Sequence, residues 1–357
     1  MIVVLDAADP RLLARIGEAR ASRDVVLVAD PRWSAEQRAG VAGVASGADL
    51  PNGTAWATLT SGSSGAPRVV LRTESSWSAS FGAVAEVLDA GPGDIVALPA
   101  PPAASLTLFS LAHALAGGPR PALGIDLAAT RLHATPQGLR AALDAGMAPR
   151  VALVGGSHLD PALRARAEAT GTRVVGYYGA AELSFVAVDT GDGLRAFPGV
   201  DLAVRDGEVW VRSPFVASGY LGAVGPLRRD GAWATVGDRA ELRNGRLILR
   251  GRSDGAILSA SATIVPDEVE ATLRGIPGVR DAVVFGMPRS GVGALVAAFV
   301  ELAHGEPGDL RAAARARLAP AHRPRRWFFG EIPRTPSGKP ARAEILRRAE
   351  GVHDGLR

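Results

Sequence analysis

No cysteine occurs among the 357 residues, which excludes a disulfide framework, a thiolate nucleophile and a cysteine-ligated metal. Lysine is almost missing too: Lys339 stands alone against 39 arginines among the 40 basic residues. With 36 acidic residues the net charge is only +4, and the charges are too interspersed for the basic stripe of a nucleic-acid binder. The densest basic stretch, Arg311 to Arg326, fits a solvated amphipathic helix followed by a turn. Long apolar runs are also lacking. Ile95 to Pro119 is the longest stretch without Asp, Glu, Lys or Arg, but Pro99, Pro101 and Pro102 interrupt it. What remains from Ala103 falls short of the roughly 20 residues that a membrane span needs. It reads as a strand end, a loop and a buried helix. The opening MIVVLDAADP has no basic residue and meets Asp6 and Asp9 early, so it does not read as a signal peptide. A cytoplasmic protein with no membrane span and no nucleic-acid partner is expected.

What is present is a hydrophobic content of 47%, enough for a substantial core and too much for a disordered chain. The excess of arginine, alanine and glycine has the look of a coding bias. A single lysine surviving that bias is either chance or a site that arginine cannot serve. Residues 1–50 alternate short strands (IVVL, DVVLVA) with helical stretches starting at Asp9-Pro10 and Asp30-Pro31. The alternation continues through ATLT, IVAL, RVALV and RVVGYY, with a helix over Pro161–Thr170. This predicts an α/β fold with a mostly parallel sheet. From Gly193 the texture becomes short β segments, and Asn244-Gly245 between two apolar runs predicts a hairpin. Beyond residues 252–255 a small α+β unit is expected. It would hold a helix near Pro266–Leu273, strands DAVVFGM and ALVAAFVEL, and a helix from Asp309. The expected division is a large N-terminal domain, 1–252, with a β-rich subregion, and a small mobile C-terminal domain, 253–357.

Six segments carry chemistry. Leu59-Thr60-Ser61-Gly62-Ser63-Ser64-Gly65-Ala66-Pro67-Arg68 sets hydroxyls and glycines after a strand and ends on a cation, suited to cradling a polyphosphate, though a Ser/Gly linker has the same composition. It is neither a Walker A loop nor a nucleophile elbow. Gly155-Gly156-Ser157 follows strand RVALV and could lie flat against a base. Tyr177-Tyr178-Gly179-Ala180-Ala181-Glu182 places one acid beyond a strand end, where an open α/β sheet binds ligands and one carboxylate can hold Mg²⁺. Gly237-Asp238 offers a carboxylate to ribose hydroxyls, and Gly251-Arg252-Ser253-Asp254 brings an arginine that can hold ribose or phosphate. Pro333-Arg334-Thr335-Pro336-Ser337-Gly338-Lys339-Pro340 presents the only lysine on a rigidified loop. A solvated loop acid, a surface ion pair and a tail lysine are the plain readings of the last four taken singly.

In this order the six resemble the acyl-adenylate-forming superfamily of acyl- and aryl-CoA synthetases, nonribosomal-peptide adenylation domains and luciferases, over roughly residues 55–345. Ser218-Gly219-Tyr220-Leu221 and Pro266-Asp267-Glu268-Val269-Glu270 also fit. The resemblance implies attack of a carboxylate on ATP·Mg²⁺, giving an acyl-adenylate and pyrophosphate, then acyl transfer to the thiol of CoA. It implies that Thr60, Ser61, Gly62, Ser63, Ser64, Gly65 and Arg68 hold the phosphates, Glu182 the Mg²⁺, Asp238 the ribose and Arg252 the ribose or phosphate. Gly155, Gly156, Ser157, Tyr178 and Gly179 would complete the ATP site. Ala103, Ser105, Leu106 and Ala180, with Ala104 and Leu108 nearby, would line the acyl pocket. Lys339 and Glu182 would be catalytic, Lys339 bridging substrate carboxylate and α-phosphate, and Asp254 would be the hinge of the mobile domain.

The chain departs from the family pattern at four places. Arg68 stands for the usual cradle lysine, and Ala181 for a usual hydroxyl residue before the glutamate. Ser261 and Thr263 replace a glycine and a basic residue near the pantetheine path. The part before the cradle is short, similar to compact o-succinylbenzoate-CoA ligases. Pro102 stands near the place of a histidine common in CoA ligases, and no acid is present there to meet an ammonium. An aryl or aliphatic monocarboxylic acid is therefore expected as substrate. Two alternatives follow from the departures: transfer to a carrier-protein phosphopantetheine or an amine, and a nucleotide-binding relative without catalysis.

Overall fold

The computed structural model describes residues 1–29, 35–45, 50–60, 68–157, 159–222, 225–252, 257–259, 262–264, 266–289, 293–318, 322–335 and 338–354. Strand Val25–Ala29 is buried along VVLV because it runs between Ile2–Asp6 and Thr54–Thr60, parallel to both. A strand covered on both faces is continuously apolar for that reason. The next strand, Arg68–Thr73, returns antiparallel, with Thr60 opposite Arg68. Only seven residues, 61–67, link the two, too few for a parallel crossover. Gly219–Leu221 completes this five-stranded sheet.

A second, seven-stranded sheet is ordered Arg195–Ala196, Ser184–Asp189, Arg173–Ala180, Val151–Gly155, Arg131–Ala134, Ile95–Leu98, Arg120–Leu123. From Arg173–Ala180 onward its pairs are parallel. Ser184–Asp189 turns back antiparallel through the three residues 181–183. The α/β expectation therefore holds, but as two mixed sheets; the parallel pattern breaks where the chain reverses too tightly for a helix. Helix Ser105–Leu115 is buried on most of its surface and packs against strands of both sheets, Thr54–Thr60 and Arg131–Ala134. It joins them into one core. Helix Pro161–Glu168 starts where Asp160 accepts the Ala162 N–H at 2.8 Å and Pro161 fills the first turn.

Asn244 and Gly245, both at positive φ, join Asp238–Arg243 to Arg246–Arg252 as a two-residue hairpin within a six-stranded β subregion. Next comes a smaller sheet built on the long hairpin Val279–Arg289 and Gly293–Leu302. Ile257–Ser259, Ala262–Ile264 and the parallel strand Arg326–Phe329 extend it. Helices Pro266–Arg274 and Pro307–Arg317 pack on it through Val269, Leu273, Leu310 and Ala314. A last helix, Arg342–Asp354, was not signalled by any motif; Ile345 and Ala349 anchor it. Among the described residues no helix is long and apolar enough to cross a membrane. Asp30, Pro31 and 253–256, including Asp254, lie outside the described residues.

Candidate active site

The carboxyl ends of the parallel strands open into a cavity of about 1220 Å³, the expected ligand position in such sheets. Arg68, Gly156, Ser157, Tyr178, Gly179, Ala181, Glu182, Asp238 and Lys339 all line it. Arg68 and Lys339, 271 residues apart in sequence, are thus gathered around one space.

Glu182 sits in the tight reversal at 181–183 and is only 6% exposed. The Tyr220 hydroxyl donates to its Oε1 at 2.9 Å and itself accepts the Leu227 N–H at 3.1 Å. Burial, reinforced by the Glu182 charge, raises the Tyr220 phenol above its ordinary value, which keeps it a donor. The Ala217 N–H donates to the Glu182 carbonyl at 2.7 Å. On the other side lies Arg72, a wholly buried cation that follows the apolar run Val69-Val70-Leu71. Its Nε and Nη2 donate to the Ala181 carbonyl at 3.0 and 2.6 Å, and Nη1 to the Phe215 carbonyl at 2.6 Å and Ser76 Oγ at 3.3 Å. Burial lowers its guanidinium to about 9, while Glu182 pulls it back up. One hard carboxylate, oriented by the Tyr220 hydroxyl and carried on a backbone held by Ala217 and Arg72, suits a Mg²⁺ that takes its other ligands from phosphates and water. No cluster of three His, Asp or Glu side chains able to hold a metal alone is present among the described residues.

At the nucleotide side the Tyr178 hydroxyl donates to Asp238 Oδ2 at 2.6 Å, so the strand-end tyrosine and the turn aspartate form one wall. Asp238 and Arg252 are direct partners across the hairpin. Lys339 arrives from the other sheet system. Its loop is closed by Thr335 N–H on the Lys339 carbonyl at 2.7 Å and Gly338 N–H on the Thr335 carbonyl at 2.8 Å. Arg334 anchors that loop through Asp281 at 2.8 Å. A Cβ built on Gly156, whose φ is +88°, would stand 3.6 Å from Lys339 Cε. The ammonium stem therefore lies against the backbone at the head of strand Val151–Gly155.

The opposite end is aromatic, with Trp77, Phe109, Tyr177 and Phe185 in the lining. Ala104, Ser105, Leu106 and Ala180 line it too, whereas Ala103 and Leu108 are buried behind it. Ala103 precedes the helix, and Leu108 is buried in the core that the helix shares with both sheets. Gly155 is likewise absent from the lining, because the Tyr177 ring covers it. Ser61, Gly62, Ser63, Ser64, Gly65, Asp254 and Ser261 lie outside the described residues; Thr60, Arg252 and Thr263 are placed by backbone alone. Arg72 and Tyr177 escaped the sequence reading. A charge inside the apolar run RVVLRT was the available signal for the first, and adjacent tyrosines that must face opposite ways for the second.

A nucleotide-sized cleft with a buried single carboxylate, a tyrosine–aspartate wall and an entering lysine defines an adenylate-forming type of site. The chain belongs to the AMP-binding enzyme family, whose sequence profile matches residues 1–221; the profile of the AMP-binding enzyme C-terminal domain matches 268–339. The 2-succinylbenzoate–CoA ligase of Salmonella typhimurium is 31% identical over 289 residues, 76% of this chain and 63% of that protein. A medium/long-chain-fatty-acid–acyl-carrier-protein ligase of Mycobacterium tuberculosis is 33% identical over 224 residues, 51% of this chain and 41% of that one. The chain thus spans less than two thirds of either relative's length. Among solved structures, an R195K variant of Escherichia coli MenE with bound OSB-AMS superposes with a TM-score of 0.84 at 23% identity, covering 98% of this chain and 87% of that one. The likeness shows a shared fold.

Proposed function

We propose that this chain is an AMP-forming acid–thiol ligase, joining an aryl or aliphatic monocarboxylic acid to CoA through an acyl-adenylate. The observation that carries the reading is Lys339 lying against Gly156 in the same cavity as Glu182 and Asp238. A lysine there can meet the acid's carboxylate and the α-phosphate together and stabilise the charge that develops between them. Mg²⁺ on Glu182 would neutralise phosphate charge. Asp238 would accept the ribose hydroxyls, with Arg252 opposite it, while Arg68 and the 60–65 hydroxyl and glycine segment hold the distal phosphates. Ser157 and Gly179 complete the nucleotide wall. Residues 1–252 would then bind ATP and acid, and 253–357 would carry the lysine, turning at Asp254 between half-reactions.

Acid-dependent ATP–pyrophosphate exchange across a broad acid panel tests the proposal; absence of exchange with every acid overturns it. The fatty-acid–carrier-protein ligase among the relatives, with Ser261 and Thr263 standing where the family pattern has a glycine and a basic residue, favours a second reading in which a carrier-protein phosphopantetheine accepts the acyl group. Comparing CoA, a phosphopantetheinylated carrier and amines as acceptors decides between them. Steady turnover with any acceptor excludes a non-catalytic nucleotide binder.

A further inference from the structure

The Tyr177 ring lies across the strand surface so closely that a Cβ on Gly155 would fall inside it. Glycine is the residue that permits this approach. The ring is fixed at its far end: its hydroxyl bonds His133 Nε2 at 3.1 Å, and His133 Nδ1 bonds Ser110 Oγ at 2.9 Å. His133 is wholly buried, and burial holds its imidazole down to about 3, with His113 adding to the effect. It is neutral at any working pH and can accept or donate but cannot supply a positive charge. Tyr177 also packs on Phe185 at a centroid distance of 4.8 Å, Phe185 on Phe109 at 5.1 Å, and Phe109 on Trp77 at 5.7 Å in an edge arrangement. Each ring braces the next.

Tyr177 is therefore a fixed wall and no swinging gate. It occupies the space over Gly155, so an acyl chain cannot extend across that strand towards the buried His133. The described cations that line the cavity are Arg68, Arg164 and Lys339; none is among the ring contacts that build the aromatic wall, and Arg164 is paired with Asp189 at 2.9 Å. Arg72 lies behind Trp77, its guanidinium 5.6 Å from the ring centre, with its donors on the Ala181 and Phe215 carbonyls. A carboxylate pressed against this wall would be desolvated without a partner. A planar ring would instead find edge and face contacts on several sides.

We propose that Tyr177, pinned through His133 and Ser110, is the specificity-determining residue of the acyl pocket, and that the acid is a single-ring aromatic acid with no second charge. This rests on the ligase reading above. It excludes straight-chain fatty acids and dicarboxylates such as 2-succinylbenzoate as preferred substrates, although ligases for both classes are among the relatives.

The test pairs binding with turnover. Calorimetry would compare three non-hydrolysable acyl-sulfamoyladenosines carrying benzoyl, dodecanoyl or 2-succinylbenzoyl groups. Pyrophosphate exchange would use the three free acids. The wild-type chain should favour benzoyl in both readouts by about 10- to 100-fold, the range that pocket shape supplies. Tyr177→Gly should shift the dodecanoyl-to-benzoyl ratio at least ~10-fold towards dodecanoyl, and Tyr177→Leu should shift it in the same direction by less. Tyr177→Phe should keep the wild-type order, because the ring remains. Tighter wild-type binding of dodecanoyl or 2-succinylbenzoyl, or an unchanged ratio in both the glycine and the leucine variants, overturns the proposal. Benzoyl-selective binding without any exchange across a broad acid panel would refute the ligase reading and leave the wall standing.

Discussion

Replacing Arg72 by methionine separates what holds the fold from what holds the site. The charged guanidinium is destabilised inside the protein: its fall to about 9 corresponds to roughly 5 kcal/mol against the charged form, at about 1.4 kcal/mol per tenfold change. Removing it recovers that cost. The same change leaves the Ala181 and Phe215 carbonyls without their donors, at about 1–3 kcal/mol each. Methionine fills much of the volume against Trp77, so no large cavity term is added. The two sides nearly offset, and Arg72→Met should change unfolding free energy by no more than about 2 kcal/mol in either direction. The site should fare worse. The Ala181 carbonyl is the grip on the reversal that carries Glu182, and a shift of about 1 Å there is worth up to ~10²-fold in rate. Pyrophosphate exchange should fall by about that factor, with a raised Mg²⁺ requirement. Arg72→Lys should not rescue it, because a point charge cannot fork to two carbonyls. Unchanged exchange and Mg²⁺ dependence in Arg72→Met, or a loss of stability large enough to account for the lost rate, would refute the reasoning.

Three further outcomes follow from the site. Lys339→Ala should reduce adenylate formation by ~10²–10³ while thioester formation from supplied acyl-adenylate persists; equal loss of both half-reactions would contradict its placement. Tyr220→Phe removes the donor to Glu182 Oε1 and should raise the Mg²⁺ concentration for half-maximal exchange several-fold, about 1 kcal/mol for one such bond; a metal titration reads this directly. His133 is held at about 3 in the folded chain, below its unfolded value near 6.5. The stability tied to its neutral form is complete above about pH 6.5 and is lost as pH falls towards 3. His133→Phe should flatten the acid limb of an unfolding-versus-pH curve over that window, and a limb identical to wild type would dismiss the assignment.

Strands such as Ile2–Asp6, Val25–Ala29, Val151–Gly155 and Arg173–Ala180 were legible because burial writes apolar runs, and the helix at Asp160-Pro161 and the hairpin at Asn244-Gly245 because those pairs carry their own stereochemistry. The convergence of Glu182, Asp238 and Lys339 was legible through motif order. Two mixed sheets in place of a mostly parallel one were not, since nothing in local hydropathy says that Arg68–Thr73 and Ser184–Asp189 pair antiparallel with the strands before them. Nor was the acyl wall. Tyr177 and Tyr178 are neighbours of one chemical type, and only the alternation of strand faces sends one onto His133 and the other onto Asp238. Arg72 shows the same limit: a cation in a buried strand announces that it has partners but not which carbonyls they are.

The Lys339 side chain, lying on Gly156 inside the cleft, has one further consequence. Every other basic side chain is a guanidinium, inert to reagents that acylate amines. Apart from the α-amine of the exposed Met1, a small amine-selective label would therefore mark one side chain per molecule, and that one lines the cavity shared with Glu182 and Asp238. Labelling of that side chain, read on its own peptide, then counts open sites without any turnover, and the degree to which nucleotide or acid slows it measures occupancy. The arginine bias of the whole chain makes this protein a single-address reporter on its own active cleft.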